Sequence, residues 1–383
     1  MTAPIRILAW PAFKNRAKNP YTHLLYSHMN GVHVDEFSIG NLRDRYDVWH
    51  MHWPETFLNP GTTGVGAAFK TQLILSLMDF ARCRGTKIIW TVHNLKAHDG
   101  RYPRLERRFW RAFLCRIDGF ICLSKSGMRL ALHTFPQLGH LPGFVIPHGL
   151  YRGEYPMDRN LDHRRTLDIA ADAKVVLFFG MIRKYKNVPG LIRVFRGLSD
   201  SDAVLCIAGK LLNDCGPSVR DAAGNDPRVR LHTQHVPAQE VQNYFGAADL
   251  VVLPYREILN SGTALLALSF DKPVLVPRQG AMAELQSLVG DDWVRTYQGE
   301  LSTAELTDAL VWSRPKHRGE FPPMGSLDCS RLAQETVEAY KIVLSHSGGD
   351  YKQSIPANHA ERSTESSREY HKNAIRNLQV LDD

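Results

Sequence analysis

The sequence predicts an α/β protein made of two domains, each with a parallel sheet that carries helices on both faces. Short apolar runs typical of buried strands alternate with longer runs typical of helices along most of the chain. The chain has 383 residues, a length usual for two domains, and 44% of them are hydrophobic, enough for two cores. A polar and charged stretch at residues 151–172 separates two alternating halves and is predicted to link them.

In the first half, residues 1–150, the apolar runs predict six strands and at least three helices. The predicted strands are Arg6–Trp10, Val32–Phe37, Tyr46–Trp53, Lys87–Val92, Gly119–Ser124 and Phe144–Gly149. The predicted helices begin at Tyr21, near Thr71 and at Pro103. Gly85 is expected to end the second helix, because glycine favours the position that follows a helix.

In the second half the same alternation starts at about residue 173. Strands are predicted near residues 175–179, 204–208, 229–232, 250–253 and 274–276. Helices are predicted near Thr303–Trp312 and Arg331–Leu344. Residues 346–383 are rich in polar residues and poor in apolar ones, so we expect a largely disordered tail there.

The positive charge of the chain is concentrated in its first half. Residues 1–150 contain 19 Lys and Arg against 9 Asp and Glu, whereas the rest of the chain is close to neutral. The segment 101–116 adds four aromatic residues to six arginines and predicts a basic amphipathic helix of the kind that lies on anionic lipid. The alternative is a solvated helix whose Phe109 and Phe113 pack on the sheet. The chain lacks basic-aromatic repeats, so we expect no nucleic-acid partner.

The cysteines and the N-terminus indicate a reducing compartment. None of the six cysteines forms a C-x-x-C pair, which argues against a zinc site and against a disulfide framework. The N-terminus enters a strand without the long apolar core of a signal peptide, and no run is long enough to span a membrane. These features predict a cytoplasmic protein, with peripheral attachment to the inner face of the cell membrane as an option.

Two strand-to-helix turns carry the chemistry of the second half. The first follows the apolar strand Val175–Phe179 and contains Gly180, Arg183 and Lys186 before Asn187 and Pro189 open a helix. The second follows Leu250–Leu253 and ends in Asn260-Ser261-Gly262-Thr263 at the start of another apolar helix. Cations beside a helix N-terminus are suited to hold a phosphate, and carboxyl ends of parallel strands face one crevice.

These segments, with Cys206–Gly209 and Lys272-Pro273-Val274, resemble the nucleotide-sugar half of GT-B glycosyltransferases, most closely family 4, also called group 1. The resemblance implies two Rossmann-like domains that face each other across a cleft, with the acceptor domain at residues 1–150 and the donor domain at residues 173–326. It also implies that a helix at residues 327–345 crosses back to the first domain.

The resemblance also implies roles for individual residues on the donor side. Arg183 and Lys186 match the cations that grip the donor diphosphate, and Ser261, Gly262 and Thr263 are expected to present backbone N–H groups to the distal phosphate. The sugar and nucleoside are assigned to Tyr255, Arg256, Glu257, His148 and Gly149. The family's second glutamate is missing, because the aligned positions hold Leu265 and Leu266.

On the acceptor side, two residues at strand ends are candidates for catalysis. His93 ends a buried strand where the family places a functional histidine, and its alternative is a structural role. Glu55 follows the strand that carries His50 and His52 and is a candidate base, although a surface loop acid is the alternative expectation. The first loop, from Pro11 to Pro20, lacks the glycine pair found in many members of the family.

The sequence therefore predicts a metal-independent GT-B hexosyltransferase that needs no cofactor. It would move a sugar from a nucleoside-diphosphate sugar to a saccharide or a lipid-linked saccharide in surface-polysaccharide biosynthesis. Two alternatives share the donor site: a sugar-nucleotide epimerase or hydrolase, and a non-catalytic partner subunit. The sequence leaves open the sugar, the nucleotide, the acceptor, the linkage and the stereochemical outcome.

Overall fold

The structure is a computed structural model that describes residues 3–58, 63–96, 102–212, 215–314 and 319–346. It divides into two compact units. The first comprises Met1–Gly149 and the segment that starts at Ser326, and the second comprises Leu150–Gly325. Apart from its first residue, the predicted tail at residues 346–383 lies outside the described residues.

The first unit is built on a six-stranded parallel sheet with the strand order β2-β1-β3-β4-β5-β6. The strands are β1 (Ile5–Trp10), β2 (Val32–Glu36), β3 (Val48–His52), β4 (Lys87–Val92), β5 (Gly119–Cys122) and β6 (Gly143–Val145). The helices between them are α1 (Tyr21–Ser27), α2 (Gly64–Cys83), α3 (Pro103–Leu114) and α4 (Lys125–Thr134).

Two helices of this unit differ from the sequence prediction. Helix α2 begins at Gly64 rather than near Thr71, because the Thr63 side chain accepts a hydrogen bond from the Gly66 N–H and caps a glycine-rich first turn. Helix α4 was not predicted. The Ser124 hydroxyl caps it by accepting a hydrogen bond from the Gly127 N–H at 2.9 Å. The Thr63 cap thus starts α2 earlier than the apolar pattern indicates, and the Ser124 cap starts a helix that the pattern does not indicate at all.

The second unit has its own six-stranded parallel sheet, with the order β12-β11-β10-β7-β8-β9. Its strands are β7 (Lys174–Phe179), β8 (Ala203–Ala208), β9 (Val229–His232), β10 (Leu250–Val252), β11 (Val274–Pro277) and β12 (Val294–Tyr297), the last of which was not predicted. Its helices are α5 (His163–Thr166), α6 (Val188–Arg196), α7 (Gly216–Ala223), α8 (Val241–Ala247), α9 (Gly262–Ser269), α10 (Met282–Val289) and α11 (Thr303–Trp312).

Residues 151–172, expected to link the two halves, pack on the second unit. Both Asp249 carboxylate oxygens lie 3.0 Å from Nη2 of Arg164. The same aspartate accepts the N–H of Val175 at the start of β7. The Tyr151 N–H donates to the Ser269 hydroxyl at the end of α9. These contacts tie the stretch to strands and helices that come much later in the chain.

The last described helix, α12 (Cys329–Ser345), belongs to the first unit. The Asp328 carboxylate caps it by accepting the N–H groups of Ser330 and Arg331. Its buried face joins α1 on one side of the first sheet, whereas α2, α3 and α4 cover the other side. A Cβ on Gly119 would lie only 2.6 Å from Val343, so the strand needs a glycine there to admit the helix.

Candidate active site: a donor cluster and a histidine-glutamate cluster

The order of each sheet reverses at one point, and several of the candidate residues lie beyond the strands on either side of it. In the second unit the reversal separates β7 from β10, which precede the two predicted turns. In the first unit it separates β1 from β3, and β3 leads into Trp53 and Glu55. Open α/β sheets bind ligands beyond the carboxyl ends of strands at such points.

Gly180 brings the two turns of the second unit together. It follows β7 with a φ of 112°, a conformation that favours glycine. A Cβ at this position would lie 3.4 Å from the Lys186 Nζ and 3.4 Å from the Thr263 hydroxyl, so both side chains converge on this glycine. Gly209, at the end of β8, packs against the Gly180 backbone so closely that it too must be glycine. The structure thus brings Lys186 and Thr263 together as the sequence predicts.

Lys186 is a buried cation, 9% exposed, held by aromatic faces. Its Nζ lies 5.0 Å from the Tyr255 ring centroid and 5.9 Å from that of Phe178. Burial lowers the pKa of Lys186, nearby Arg183 lowers it further, and Tyr185 acts in the opposite direction. Within the part of the chain that the structure describes, no carboxylate pairs with this ammonium group. A buried cation of this kind is ready to bind an anion.

The other residues of the first turn differ in exposure. Arg183 is half-buried and donates a hydrogen bond to the Met181 sulfur at 3.2 Å, whereas Lys184 is exposed. Asn187 occupies the N-cap position of α6 with a φ of 49°, but its side chain makes no capping hydrogen bond. That side chain lies over Gly190, where a Cβ would come within 2.5 Å of it. Asn187 is therefore the N-cap residue, as the sequence predicts, but its side chain does not bond the amides of the first turn.

The second turn supplies a helix N-terminus. Ser261 caps α9 and accepts the Ala264 N–H at 3.2 Å. The N–H groups of Gly262 and Thr263 belong to the first helical turn, where the helix offers no acceptor. The Tyr255 hydroxyl is buried beside the hydroxyls of Ser261 and Thr263, and burial raises the pKa of Tyr255 to about 12. Neutral hydroxyls, free amide protons and the Lys186 ammonium group therefore face one place.

Two residues assigned to the sugar pocket are exposed. Arg256 is exposed and forms an ion pair with Glu300 at 3.5 Å, and Glu257 is exposed as well. The neighbouring Asn260, which sequence reasoning missed, is a further candidate. Among the described residues, neither its side-chain oxygen nor its nitrogen has a hydrogen-bond partner, although both atoms are buried. The only signal in the sequence is an amide directly before the N-cap Ser261.

In the first unit, His93 lies immediately after β4 among aromatic rings. Trp53 stacks on it with ring centroids 4.1 Å apart, and Tyr21 approaches edge-on at 5.2 Å. Trp53 has a φ of 49°, an uncommon and costly conformation for a large residue, of the sort that clusters at functional sites. The His93 Nε2 lies 3.0 Å from the His52 Nδ1. Burial and the neighbouring His148 and His50 hold the pKa of His93 well below its usual value, so the ring is neutral.

A chain of buried hydrogen bonds continues from His52 into the core. The Tyr26 hydroxyl lies 2.7 Å from the His52 Nε2 and 2.8 Å from the His50 Nδ1. The Tyr340 hydroxyl of α12 also reaches the His50 Nδ1, at 2.6 Å, and the His50 Nε2 contacts the Thr91 hydroxyl at 2.7 Å. Burial lowers the pKa of both His50 and His52. Because both histidine rings are therefore neutral, each hydrogen bond of this network joins two uncharged groups.

Glu55 is buried, 4% exposed, so the alternative expectation of a surface loop acid is wrong. Its Oε1 accepts a hydrogen bond from the Asn94 side chain at 2.6 Å. Its Oε2 is also buried and has no partner among the described residues. Burial raises the pKa of Glu55 to about 7, against the opposing effect of the Asn94 hydrogen bond. A carboxyl group of this kind is suited to take a proton near neutral pH.

His148 and Gly149 have contacts within the first unit. The His148 ring lies 4.3 Å from that of Tyr21, and its Nδ1 donates to the Gly149 carbonyl oxygen at 2.7 Å. Burial lowers the pKa of His148 to about 4. A Cβ on Gly149 would lie 2.9 Å from the Cys329 sulfur, so the close approach that requires a glycine here is to α12.

The first loop is organised by a carboxylate. The Glu36 side chain at the end of β2 accepts hydrogen bonds from the N–H groups of Ala12, Phe13 and Lys14. These amides therefore already hold a carboxylate, and a phosphate is not needed to satisfy them. In the described ranges, no three His, Cys, Asp or Glu side chains form a group that could hold a metal ion. No described helix is long and apolar enough to cross a membrane.

The two parallel sheets and their switch-point residues have the architecture of GT-B glycosyltransferases, and solved structures agree. The Anabaena protein HepE in complex with UDP and glucose superposes with a TM-score of 0.60 at 15% identity, covering 88% of this chain and 100% of that one. An α,α-trehalose-phosphate synthase (UDP-forming) from Burkholderia xenovorans gives 0.61 at 10% identity, with the same coverage. These likenesses show the fold.

Sequence comparison gives the family. The model for glycosyl transferases group 1 matches residues 173–311, which lie within the second unit. A GDP-mannose:glycolipid 4-β-D-mannosyltransferase of Xanthomonas campestris pv. campestris is 33% identical over 344 residues, which make up 87% of this chain and 91% of that protein. The chain belongs to this family of glycosyltransferases. It is a hexosyltransferase that uses a nucleotide-sugar donor, as its sequence predicts.

Proposed function

We propose that this protein transfers mannose from GDP-mannose to a lipid-linked saccharide with inversion at the anomeric carbon, as a step in surface-polysaccharide assembly. The mannosyltransferase of Xanthomonas campestris supports this proposal through its 33% identity over most of both chains. GDP-mannose carries an α-linked sugar, and the name of that relative specifies a β product. A single displacement at the anomeric carbon inverts its configuration, which accounts for the change from an α-linked donor to a β-linked product.

The buried cation Lys186 is the observation that carries the donor assignment. We assign the GDP diphosphate to Lys186, to Arg183 and to the first turn of α9 with Ser261 and Thr263. The leaving group gains negative charge as the glycosidic bond breaks, and these groups are already oriented to stabilise it. Placing the anion against Lys186 also offsets the cost of burying its ammonium group. In this assignment the chain's own cations neutralise the diphosphate, as a metal-independent transferase requires. Asn260 is assigned to a polar group of the donor, because its buried amide has no partner within the described protein.

We assign the role of catalytic base to Glu55. An inverting transfer needs one base to take the proton of the acceptor hydroxyl as that oxygen attacks the sugar. Glu55 is buried, its Oε2 is unpartnered among the described residues, and its pKa of about 7 makes a large fraction ionised at neutral pH. Asn94 holds the other oxygen and orients the carboxylate.

We assign His93 the role of a neutral hydrogen-bond donor to the substrate. If the Tyr26 hydroxyl donates to the His52 Nε2, then the His52 Nδ1–H must donate to the His93 Nε2. The proton of His93 then lies on its Nδ1, where it can donate to an oxygen of the substrate. If each of these hydrogen bonds ran in the opposite direction, the His93 Nδ1 would be an acceptor, which suits a developing negative charge less well.

The test is a transfer assay with the purified full-length protein and a short lipid-linked saccharide dispersed in detergent. GDP-mannose is compared with UDP-glucose, UDP-galactose and UDP-N-acetylglucosamine, and the product is identified by mass spectrometry with NMR for the linkage. We expect a β-mannoside from GDP-mannose only, with transfer lost in Lys186→Ala and kept in the matched variant Lys184→Ala. Transfer from a uridine donor would contradict the donor assignment. GDP-mannose hydrolysis or epimerisation without acceptor would favour the alternative enzymes.

A further inference from the structure

Helix α2 has two apolar faces, of which folding uses one. The buried face, with Ala67, Ile74, Leu75, Met78 and Ala81, packs on the sheet of the first unit. The apolar residues Val65, Phe69, Leu73 and Phe80 are exposed, with Val65 82% and Phe69 68% exposed. At about 100° per residue these four side chains fall within an arc of roughly 80° on the side opposite the core.

Single exposed apolar residues are ordinary, but a row along one helix face marks a surface that binds something apolar. Two of the four residues are phenylalanines, which belong to the side chains that favour the boundary between lipid headgroups and acyl chains. We name this row, Val65, Phe69, Leu73 and Phe80, the α2 ridge.

The neighbouring helix supplies positive charge. Helix α3 packs beside α2 in the same layer and buries Phe109 and Phe113 in the shared core, as the structural alternative for these two residues predicts. Its outer positions carry exposed arginines, which are Arg104, Arg107, Arg108 and Arg111. Lys70 adds an exposed cation on α2 itself. The acids of these two helices are engaged, since Asp79 pairs with Arg116 at 2.8 Å and Glu106 accepts from the Trp110 ring at 3.3 Å.

We propose that the α2 ridge and the α3 arginines form one membrane-docking surface, in which the ridge enters the acyl boundary of an anionic bilayer and the arginines bind lipid phosphates. The charge next to the ridge favours a membrane over a second protein copy, because an identical copy would bring the same arginines against each other. This inference rests on the proposed function in one respect: a lipid-linked acceptor requires the enzyme at the membrane surface.

The test is vesicle co-sedimentation of the full-length protein. Vesicles made of equal parts phosphatidylglycerol and phosphatidylcholine are compared with phosphatidylcholine alone. Phe69→Ser combined with Phe80→Ser removes the centre of the ridge, and Val311→Ser, an exposed apolar residue of the second unit, is the matched control. Arg104→Ser with Arg108→Ser removes charge and leaves the ridge intact.

We expect wild type and V311S to bind anionic vesicles, and the double phenylalanine variant to bind them at least about tenfold more weakly, a loss of roughly 1.4 kcal/mol. The arginine variant should lose the preference for anionic lipid. Unchanged melting temperatures would show that all variants fold. Equal vesicle binding by wild type and the phenylalanine variant would overturn the proposal, and so would wild-type dimers that dissociate in that variant while vesicles remain unbound.

The failure of this proposal can be distinguished from failure of the proposed function. In detergent, where docking is not required, the phenylalanine variant should transfer mannose to a dispersed acceptor as fast as wild type does. Vesicle binding without any transfer in detergent would refute the transferase assignment and leave the docking surface standing. Transfer in detergent without vesicle binding would do the reverse.

Discussion

The Nδ1 atom of His52 lies 3.0 Å from the Nε2 atom of His93, and both rings are buried. One nitrogen must donate and the other must accept, so the protonation of His93 is tied to that of His52. Tyr26 ties His52 in turn to the core of the first unit. The position of the proton on His93, at the end of a strand, is thereby tied to groups buried in the first unit.

The first prediction concerns the hydrogen bonds that connect Tyr26, His52 and His93. Tyr26→Phe removes the hydroxyl that contacts both His50 and His52, so His52 loses the partner that fixes its tautomer. We expect kcat to fall on the order of tenfold, because a net hydrogen bond is worth about 1 kcal/mol and this one orients His93. Donor KM should change little. The matched control is Tyr46→Phe, whose hydroxyl bonds Asp35 at the other end of the same sheet. An equal loss of kcat in both variants would contradict the role of Tyr26 in orienting His93.

The second prediction concerns the base. Glu55→Gln keeps the shape and removes the carboxylate, so we expect kcat to fall by about 10²–10⁴-fold. GDP binding should be unchanged, because GDP is assigned to the second unit, and titration calorimetry measures it. Glu338→Gln, an exposed acid on α12, should retain wild-type activity. A small effect of E55Q on kcat would move the role of base to another group.

The third prediction concerns pH. The carboxylate of Glu55 is the active form, and its pKa is raised to about 7, so kcat/KM should rise with pH and level off above about 7. Asn94→Ala removes a hydrogen bond that favours the charged form, so the rising limb should move to higher pH. The raised pKa also means that Glu55 costs stability as pH rises from its unfolded pKa of 4.5 through 7, and E55Q should remove this loss. A rising limb of kcat/KM at the same pH in wild type and N94A would contradict the assignment of Glu55 as the base.

The fourth prediction separates binding from stability at Lys186. Burial lowers the pKa of this lysine, so its charged form opposes folding below that pKa, and Lys186→Met should leave the ligand-free protein at least as stable as wild type. GDP at about 100 times its dissociation constant should stabilise wild type by about 2.7 kcal/mol, a shift that K186M should lose. Lys184→Met should keep it. A normal GDP shift in K186M, measured by thermal denaturation, would remove this lysine from the donor site.

The fifth prediction concerns Gly180, on which the side chains of Lys186 and Thr263 converge. Gly180→Ala places a Cβ 3.4 Å from both the Lys186 Nζ and the Thr263 hydroxyl, at a φ that costs a non-glycine residue about 1–3 kcal/mol. Gly290→Ala is the matched control, because its φ is 90° and a Cβ there meets nothing within 4 Å. Both variants should lose stability from backbone strain. Only G180A should also bind GDP more weakly, and equal GDP affinity in both would contradict the site.

The sequence by itself determined the α/β class, most strand positions and the two turns of the second unit, because apolar periodicity and capping residues act locally. It placed Lys186 and Thr263 in one region, since parallel strands end at one edge. It did not reveal that Glu55 is buried, that Asn260 lacks a partner or that His52 meets His93. Those facts depend on which side chains the sheet order brings together, and β3 and β4 become neighbours only when the chain folds.

The two faces of α2 show the same division. Its apolar residues are all visible in the sequence, but periodicity alone cannot say which of two apolar stripes the sheet covers. Only the tertiary structure decided that Ile74 and Met78 enter the core while Phe69 remains exposed. The physical reason is that burial depends on the neighbours a residue acquires in the folded chain, whereas a pattern reports only the residues beside it.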